Sequence, residues 1–158
     1  MITKINIRPY LAEYIYGKYG TCDEQSVQFP DSLDIYHIIY DLLEKRPEGV
    51  SPADDGNLAI HLPQRRLGKN PETYNFLSIR AKNIIAEHIK RIFDNDLHAC
   101  FEENLQNGRD YENIEVAFLF MKKYKINSIS EDALLKNYYR WRDAVRKKSK
   151  RRKYKRVA

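Results

Sequence analysis

Short alternating apolar runs, cut by Pro and Gly, occupy the first half of the chain, and long helical spacings occupy the second. Ile2, Ile5 and Ile7 with Thr3 and Asn6 predict a short strand that Pro9 ends or converts into a helix start. Leu11, Tyr14, Ile15 and Tyr19 then have helical spacing, with Gly17 weakening the helix and Gly20 stopping it. Residues 26–29 suit a second short strand. Asp31 or Ser32 is expected to cap a helix whose stripe is Leu33, Tyr36, Ile39, Tyr40 and Leu43, and Pro47 and Gly49 end it. Pro47, Gly49, Ser51, Pro52, Asp54, Asp55 and Gly56 make residues 46–56 a loop. Leu58, Ile60 and Leu62 alternate with Ala59 and His61 before Pro63, the pattern of another strand. Paired with the opening strand and with residues 27–29, it predicts a small antiparallel sheet.

Residues 64–76 read as a loop. Ser78 caps a long helix carrying Ile85, Ile89, Ile92, Phe93, Leu97, Cys100, Phe101 and Leu105, which Asn107 and Gly108 stop. Tyr111, Ile114, Phe118 and Met121 mark the next helix, and Val116 and Phe120 widen its apolar face, so burial on more than one side is expected. After a break at residues 125–129, the last helix starts with a capping box from Ser128 to Glu131, or with Ser130 as cap and Glu131 and Asp132 at the positive dipole end. At about 100° per residue, Leu134, Tyr138, Trp141 and Val145 form its apolar stripe. Lys136, Arg140 and Lys147 lie opposite, and Leu135, Tyr139, Arg142 and Arg146 flank the two faces.

The predicted fold is therefore α+β and mainly helical: a small N-terminal antiparallel sheet with helices, then a part of about three helices and a basic tail. Residues 1–145 are expected to form a single globular unit, with 1–76 as its α/β part and 77–145 as its helical part. Residues 146–158 are expected to be a flexible basic arm. A chain of 158 residues with 42% hydrophobic and 12% aromatic content is sufficient for one packed core.

Charge changes the picture most. Residues 136–156 hold 12 Lys or Arg against one acid, Asp143, a net +11, so in a chain of net charge +6 the remainder is −5. A mildly acidic body with a basic end points to a polyanionic partner, most often nucleic acid. The last two helices have the outline of a helix-turn-helix, an outline shared with many helical hairpins whose charged face is merely solvated. Beyond it, residues 146–156 contain nine basic residues and no acid. Such a block repels itself and gains order when phosphates neutralise it.

On this reading Lys136, Asn137, Arg140, Arg142, Arg146, Lys147, Lys148, Lys150, Arg151, Arg152, Lys153, Lys155 and Arg156 are the candidate nucleic-acid contacts. The arm supplies affinity, while Asn137, Arg140 or Arg142 has the chemistry for adenine or guanine edges. Arg65, Arg66 and Lys69 form a second basic cluster, read either as secondary phosphate contacts or as a solvated turn. A homodimer would double the footprint of such a reader, although no heptads announce one. Basic tails also bind RNA, direct nuclear import or attach to anionic lipid, but Val157 is the sole large aliphatic residue of this tail, which disfavours membrane insertion.

Catalysis is weakly signalled. His88, Asp94, Asp96, His98 and Cys100 resemble ligands, but helix positions two apart diverge by about 200°, so no metal site is expected. GxSxG, HExxH and phosphate-cradling glycine motifs are absent from the sequence, and no cofactor is expected. Tyr138 and Tyr139 beside Arg140 and Arg142 suggest a phosphotyrosyl nucleophile, yet packing is the simpler role. Cys22 and Cys100 are far apart and read as free thiols in a reducing compartment. No apolar run reaches the roughly 18 residues of a membrane helix, and the N-terminus has no signal-peptide core, so a cytoplasmic protein is expected.

The segments IRPYLAEYIYGKYG, NLAIHLPQRR, PETYNFLS and ISEDALLKNYYRWRD resemble small uncharacterised proteins of bacterial prophages and mobile elements that carry a C-terminal helix-turn-helix-like region. The resemblance extends over most of the chain and implies a prokaryotic protein acting in regulation or replication of an element. It transfers no catalytic residue. The leading expectation is a non-enzymatic DNA-binding protein. The competing one is an adaptor or structural protein whose basic tail is only an electrostatic tether.

Overall fold

The computed structural model describes residues 1–21, 25–52 and 55–157, with side chains up to Lys153 in the last helix. Cys22, Asp54 and the side chains of Lys155 and Arg156 lie outside the described set. The elements run β1 (Ile2–Ile5), α1 (Pro9–Tyr19), α2 (Asp34–Leu42), β2 (Glu44–Lys45), β3 (Leu58–His61), β4 (Tyr74–Phe76), α3 (Ile79–Gln106), α4 (Asn113–Tyr124) and α5 (Glu131–Val157). This is the expected mainly helical α+β arrangement, with three helices after the strands.

Two antiparallel two-stranded sheets replace the single sheet read from the pattern. In the first, β1 pairs with β3 so that Thr3 faces Ile60 and Ile5 faces Leu58. Residues 26–29 do not form a strand. Val27 alone bridges Gly20 and Ile60, its N–H donating to Ala59 O at 2.8 Å and its carbonyl accepting from His61 N at 2.9 Å. Pro63, with no N–H, cannot donate to Phe29 O as the next rung of that parallel pairing would require. The second sheet pairs β2 with β4, and β4 lies in the segment read as loop. Its alternating aromatics Tyr74 and Phe76 favour extended backbone, and Lys45 lies over the Tyr74 ring at 5.6 Å.

Helix α2 is capped differently from expectation. Asp31 and Ser32 sit inside a turn closed by Leu33 N donating to Pro30 O, so Leu33 becomes the N-cap without a side-chain bond. Its buried stripe is Ile35, Ile39 and Tyr40, continued by Leu43. Helix α3 begins as predicted, with Ser78 Oγ accepting from Ala81 N at 3.1 Å. Its residues Ala81, Ile85, Ile89, Phe93, Leu97 and Phe101 recur every fourth position and are buried, and α1, α2, α4 and α5 all pack on it.

Helix α1 binds the two halves of the chain together. Tyr14 is fully buried, its ring edge-on to Phe93 at 5.1 Å and to Tyr124 at 4.9 Å. Its hydroxyl and Lys18 Nζ both donate to the Asp96 carboxylate on α3. Gly17 lies inside α1 because α4 crosses there: a Cβ at residue 17 would stand 2.3 Å from the Tyr124 carbonyl oxygen.

Helix α4 is buried on one side only, contrary to expectation. Val116, Ala117, Phe120 and Tyr124 face the core, whereas Tyr111, Ile114 and Phe118, read as its stripe, are exposed. The neighbouring helices α1, α3 and α5 leave its remaining face uncovered. Among the described residues no helix is long and apolar enough to cross a membrane.

The Gly17 crossing predicts a stability effect opposite to helix propensity. Gly17→Ala gains about 1 kcal/mol of intrinsic propensity yet is expected to lose ~1–3 kcal/mol overall through overpacking against the α4 backbone. Urea denaturation reads this as a lower midpoint, and an unchanged or higher midpoint would contradict the close crossing.

Candidate nucleic-acid interface

The direction of α5 is set at its N-terminus. Ser130 Oγ accepts from Ala133 N at 3.2 Å, so Ser130 is the cap, and Ser128 is used elsewhere. Glu13 on α1 reaches the turn: Asn127 N and Ser128 N donate to its Oε2 at 2.8 and 3.0 Å, and Ser128 Oγ donates to Oε1 at 2.6 Å. Burial alone would raise the Glu13 carboxyl, but these three donors favour its charged form and hold it below its ordinary value of 4.5.

The first three turns of α5 are packed. Leu134 and Tyr138 are buried, and the Tyr138 ring stacks on Phe101 with centroids 4.4 Å apart. Burial, then donation to Glu102 Oε1 at 2.7 Å, pushes the Tyr138 hydroxyl up to about 12. The Tyr139 hydroxyl accepts from Asn113 Nδ2 at 3.1 Å. Both tyrosines thus serve the packing of α5 on α3 and α4.

Asn137 faces inward and is corrected from base reader to structural residue. Its Nδ2 donates to Asp94 Oδ1 at 2.9 Å, and its Oδ1 lies 2.7 Å from His98 Nε2, which donates to it. Lys90 Nζ holds the other Asp94 oxygen at 2.7 Å, and Trp141 stacks on His98 at 4.5 Å. The predicted stripe therefore ends early: Trp141 covers His98 at the edge of the body, and Val145 is exposed. Arg142 is half-buried, its guanidinium over the Tyr139 ring at 4.8 Å.

From residue 143 to residue 153 every side chain is exposed, while the backbone stays helical to Val157. The helix runs on through residue 146, where the arm was expected to begin. Lys and Arg are good helix formers and no Gly or Pro interrupts them. The 27 residues of α5 span about 40 Å at 1.5 Å per residue. Helical continuity puts Lys136, Arg140, Lys147 and Arg151 within roughly 60° of arc, with Asp143 interrupting that line. Arg146, Lys148, Lys150, Arg152 and Lys153 distribute charge around the rest of the circumference.

The second basic cluster is largely occupied. Lys69 Nζ donates to the carbonyls of Tyr40, Asp41 and Leu43 at 3.0, 2.9 and 2.8 Å. Its three donors complete the C-terminus of α2, which corrects its reading as a phosphate contact. Arg65 lies over the Tyr40 ring at 3.9 Å with Nη2 2.6 Å from His37 Nδ1. Arg66 is exposed.

Cys100 is a free thiol in a cleft of about 260 Å³ with Glu103, Asn104, Tyr111, Leu119 and Phe120, and burial pushes its pKa up. No group of three or more His, Cys, Asp or Glu among the described residues is placed to hold a metal ion. A scan against protein-family models finds none that matches, and searches of the curated proteins and of the solved structures find no match either.

The geometry generates two expectations. Asn137→Ala strands His98 Nε2 and Asp94 Oδ1 and is expected to cost ~1–3 kcal/mol in urea denaturation; unchanged stability would return Asn137 to the surface roles. Because the Glu13 pKa is lowered by folding, its contribution is complete above pH 4.5 and is lost as pH falls through the folded value. Glu13→Gln should therefore lower stability at neutral pH and narrow its gap to the parent below pH 4.5, as read by denaturation midpoints across pH.

Proposed function

We propose that this chain is a non-enzymatic nucleic-acid-binding protein that grips duplex DNA with the distal half of α5. One observation carries the reading: α5 leaves the packed body near Arg142, and from residue 143 to residue 153 it is an exposed helix with basic side chains on all sides. A helix about 10–12 Å across fits a B-form major groove about 12 Å wide, where phosphates flank it on both sides. Charge around the whole circumference suits that position. The A-form major groove of duplex RNA is too narrow and deep for side chains to read, which favours DNA.

The residues assigned to phosphate are Lys136, Arg140, Arg146, Lys147, Lys148, Lys150, Arg151, Arg152 and Lys153. Arg140 is the remaining candidate for a guanine edge, since Asn137 is bonded to α3 and the Arg142 guanidinium lies over the Tyr139 ring of its own helix. Binding by backbone contact is thus the larger component. The resemblance to proteins of prophages and mobile elements adds the expectation of a role in regulation or replication of such an element. An adaptor role draws support from the exposed apolar residues of α4.

Fluorescence anisotropy with a labelled duplex tests the proposal. For about six phosphate contacts the full chain should show a log–log salt slope of about −5. Changing Lys150, Arg151, Arg152 and Lys153 together to Gln should flatten that slope by about 3 to 4. Salt-insensitive binding, or none, by the full chain would overturn the reading, and equal binding by a chain ending at Asp143 would remove the distal half of α5 from it.

A further inference from the structure

The uncovered face of α4 has a charge order that fits one occupant. Ile114, Phe118 and Leu119 are 42%, 52% and 43% exposed, and Tyr111, just ahead of the helix, is 52% exposed. With about 200 Å² for a large side chain, they present roughly 350–400 Å², the size of the largest patch on a typical monomer. Phe93, Phe101 and Phe120, by contrast, are fully inside the core.

Around this patch, Glu112 and Glu115 stand at the N-terminal end of α4, and Lys122 and Lys125 stand at its C-terminal end, all exposed. These four charges cancel, and Asp110 and Lys123, which line the cleft beside Tyr111 and Leu119, add one of each sign, so the face favours neither an acidic nor a basic partner. It is complementary to itself. A second α4 laid antiparallel, with a two-fold axis between Phe118 and Leu119, sets Glu115 against Lys122 of the other copy, and Glu112 against Lys125, each twice. Glu115 Oε2 accepts Glu112 N in its own helix cap, which leaves Oε1 for the partner. A parallel pairing would oppose like charges. The acid-first, base-last order also suits the helix dipole, but the dipole gives no reason for Phe118 to be turned out.

We propose that the chain forms a homodimer through this face, two α4 helices packed antiparallel about Phe118 and Leu119. The contact is isologous and closes on itself, as two-fold interfaces do. It gives each particle two copies of α5, although the inference does not rest on nucleic-acid binding. The apolar patch approaches the ~450 Å² apolar share of a standard interface that buries about 800 Å² per partner.

Sedimentation equilibrium of the full chain at tens of micromolar, without nucleic acid, should return the dimer mass. Phe118→Asp should return the monomer. Lys122→Glu alone should weaken association at least about tenfold by opposing like charges, while E115K/K122E together should recover most of it, because reversal of both ends restores the pairing. Circular dichroism checks that each variant remains folded, and E115K alone, which gives up the acceptor for Glu112 N in the α4 cap, separates loss of that cap from loss of the pairing. A monomeric parent chain, or a double variant no tighter than Lys122→Glu, would overturn the proposal.

Discussion

Helix α1 lies against α4 because residue 17 has no side chain to separate their backbones. That contact lets three neighbouring positions on α1 act on different parts of the C-terminal half. Tyr14 enters the aromatic cluster of Phe93, Phe120 and Tyr124, and Lys18 joins it on the Asp96 carboxylate of α3. Glu13 reaches past them to the turn before α5. Both carboxylates are only partly covered, so their donors fix geometry between elements more than they offset desolvation. The N-terminal half thus orients the last helix without touching its basic portion.

The basic portion balances two opposed tendencies. Lys and Arg favour helix, and the well-capped, packed turns from Ser130 to Tyr138 nucleate it, so each added residue costs less than starting anew. Repulsion among the charges opposes this and weakens with salt or with neutralising phosphates. A polyanion would relieve the repulsion without asking the backbone to change shape. The entropy cost that accompanies folding on binding is then mostly already met.

Sequence periodicity identified the helices of the second half because their stripes are long: Ser78 and the Ile85–Phe101 stripe leave little else for α3 to be. The outward side of α4 was misread because its exposed positions, Ile114 and Phe118, are as apolar as its buried ones, and periodicity cannot tell which of two apolar faces meets the core. β2 and β4 are too short to show alternation, and they pair across a sequence distance that no local pattern encodes. The basic cluster at Arg65 and Lys69 was visible as charge, but its use as a helix terminus depends on α2 carbonyls that only folding brings near. Asn137 was likewise ambiguous, since it stands between exposed Lys136 and buried Tyr138 and its partners lie on α3.

The single span of α5 also makes it a lever. Its fulcrum is the packed segment between Leu134 and Trp141, and Val157 lies about 24 Å beyond, at 1.5 Å per residue. A tilt of about 10° at the fulcrum would move that end by about 4 Å. Small changes where Glu13 holds the turn would therefore be magnified at the end that carries the charge.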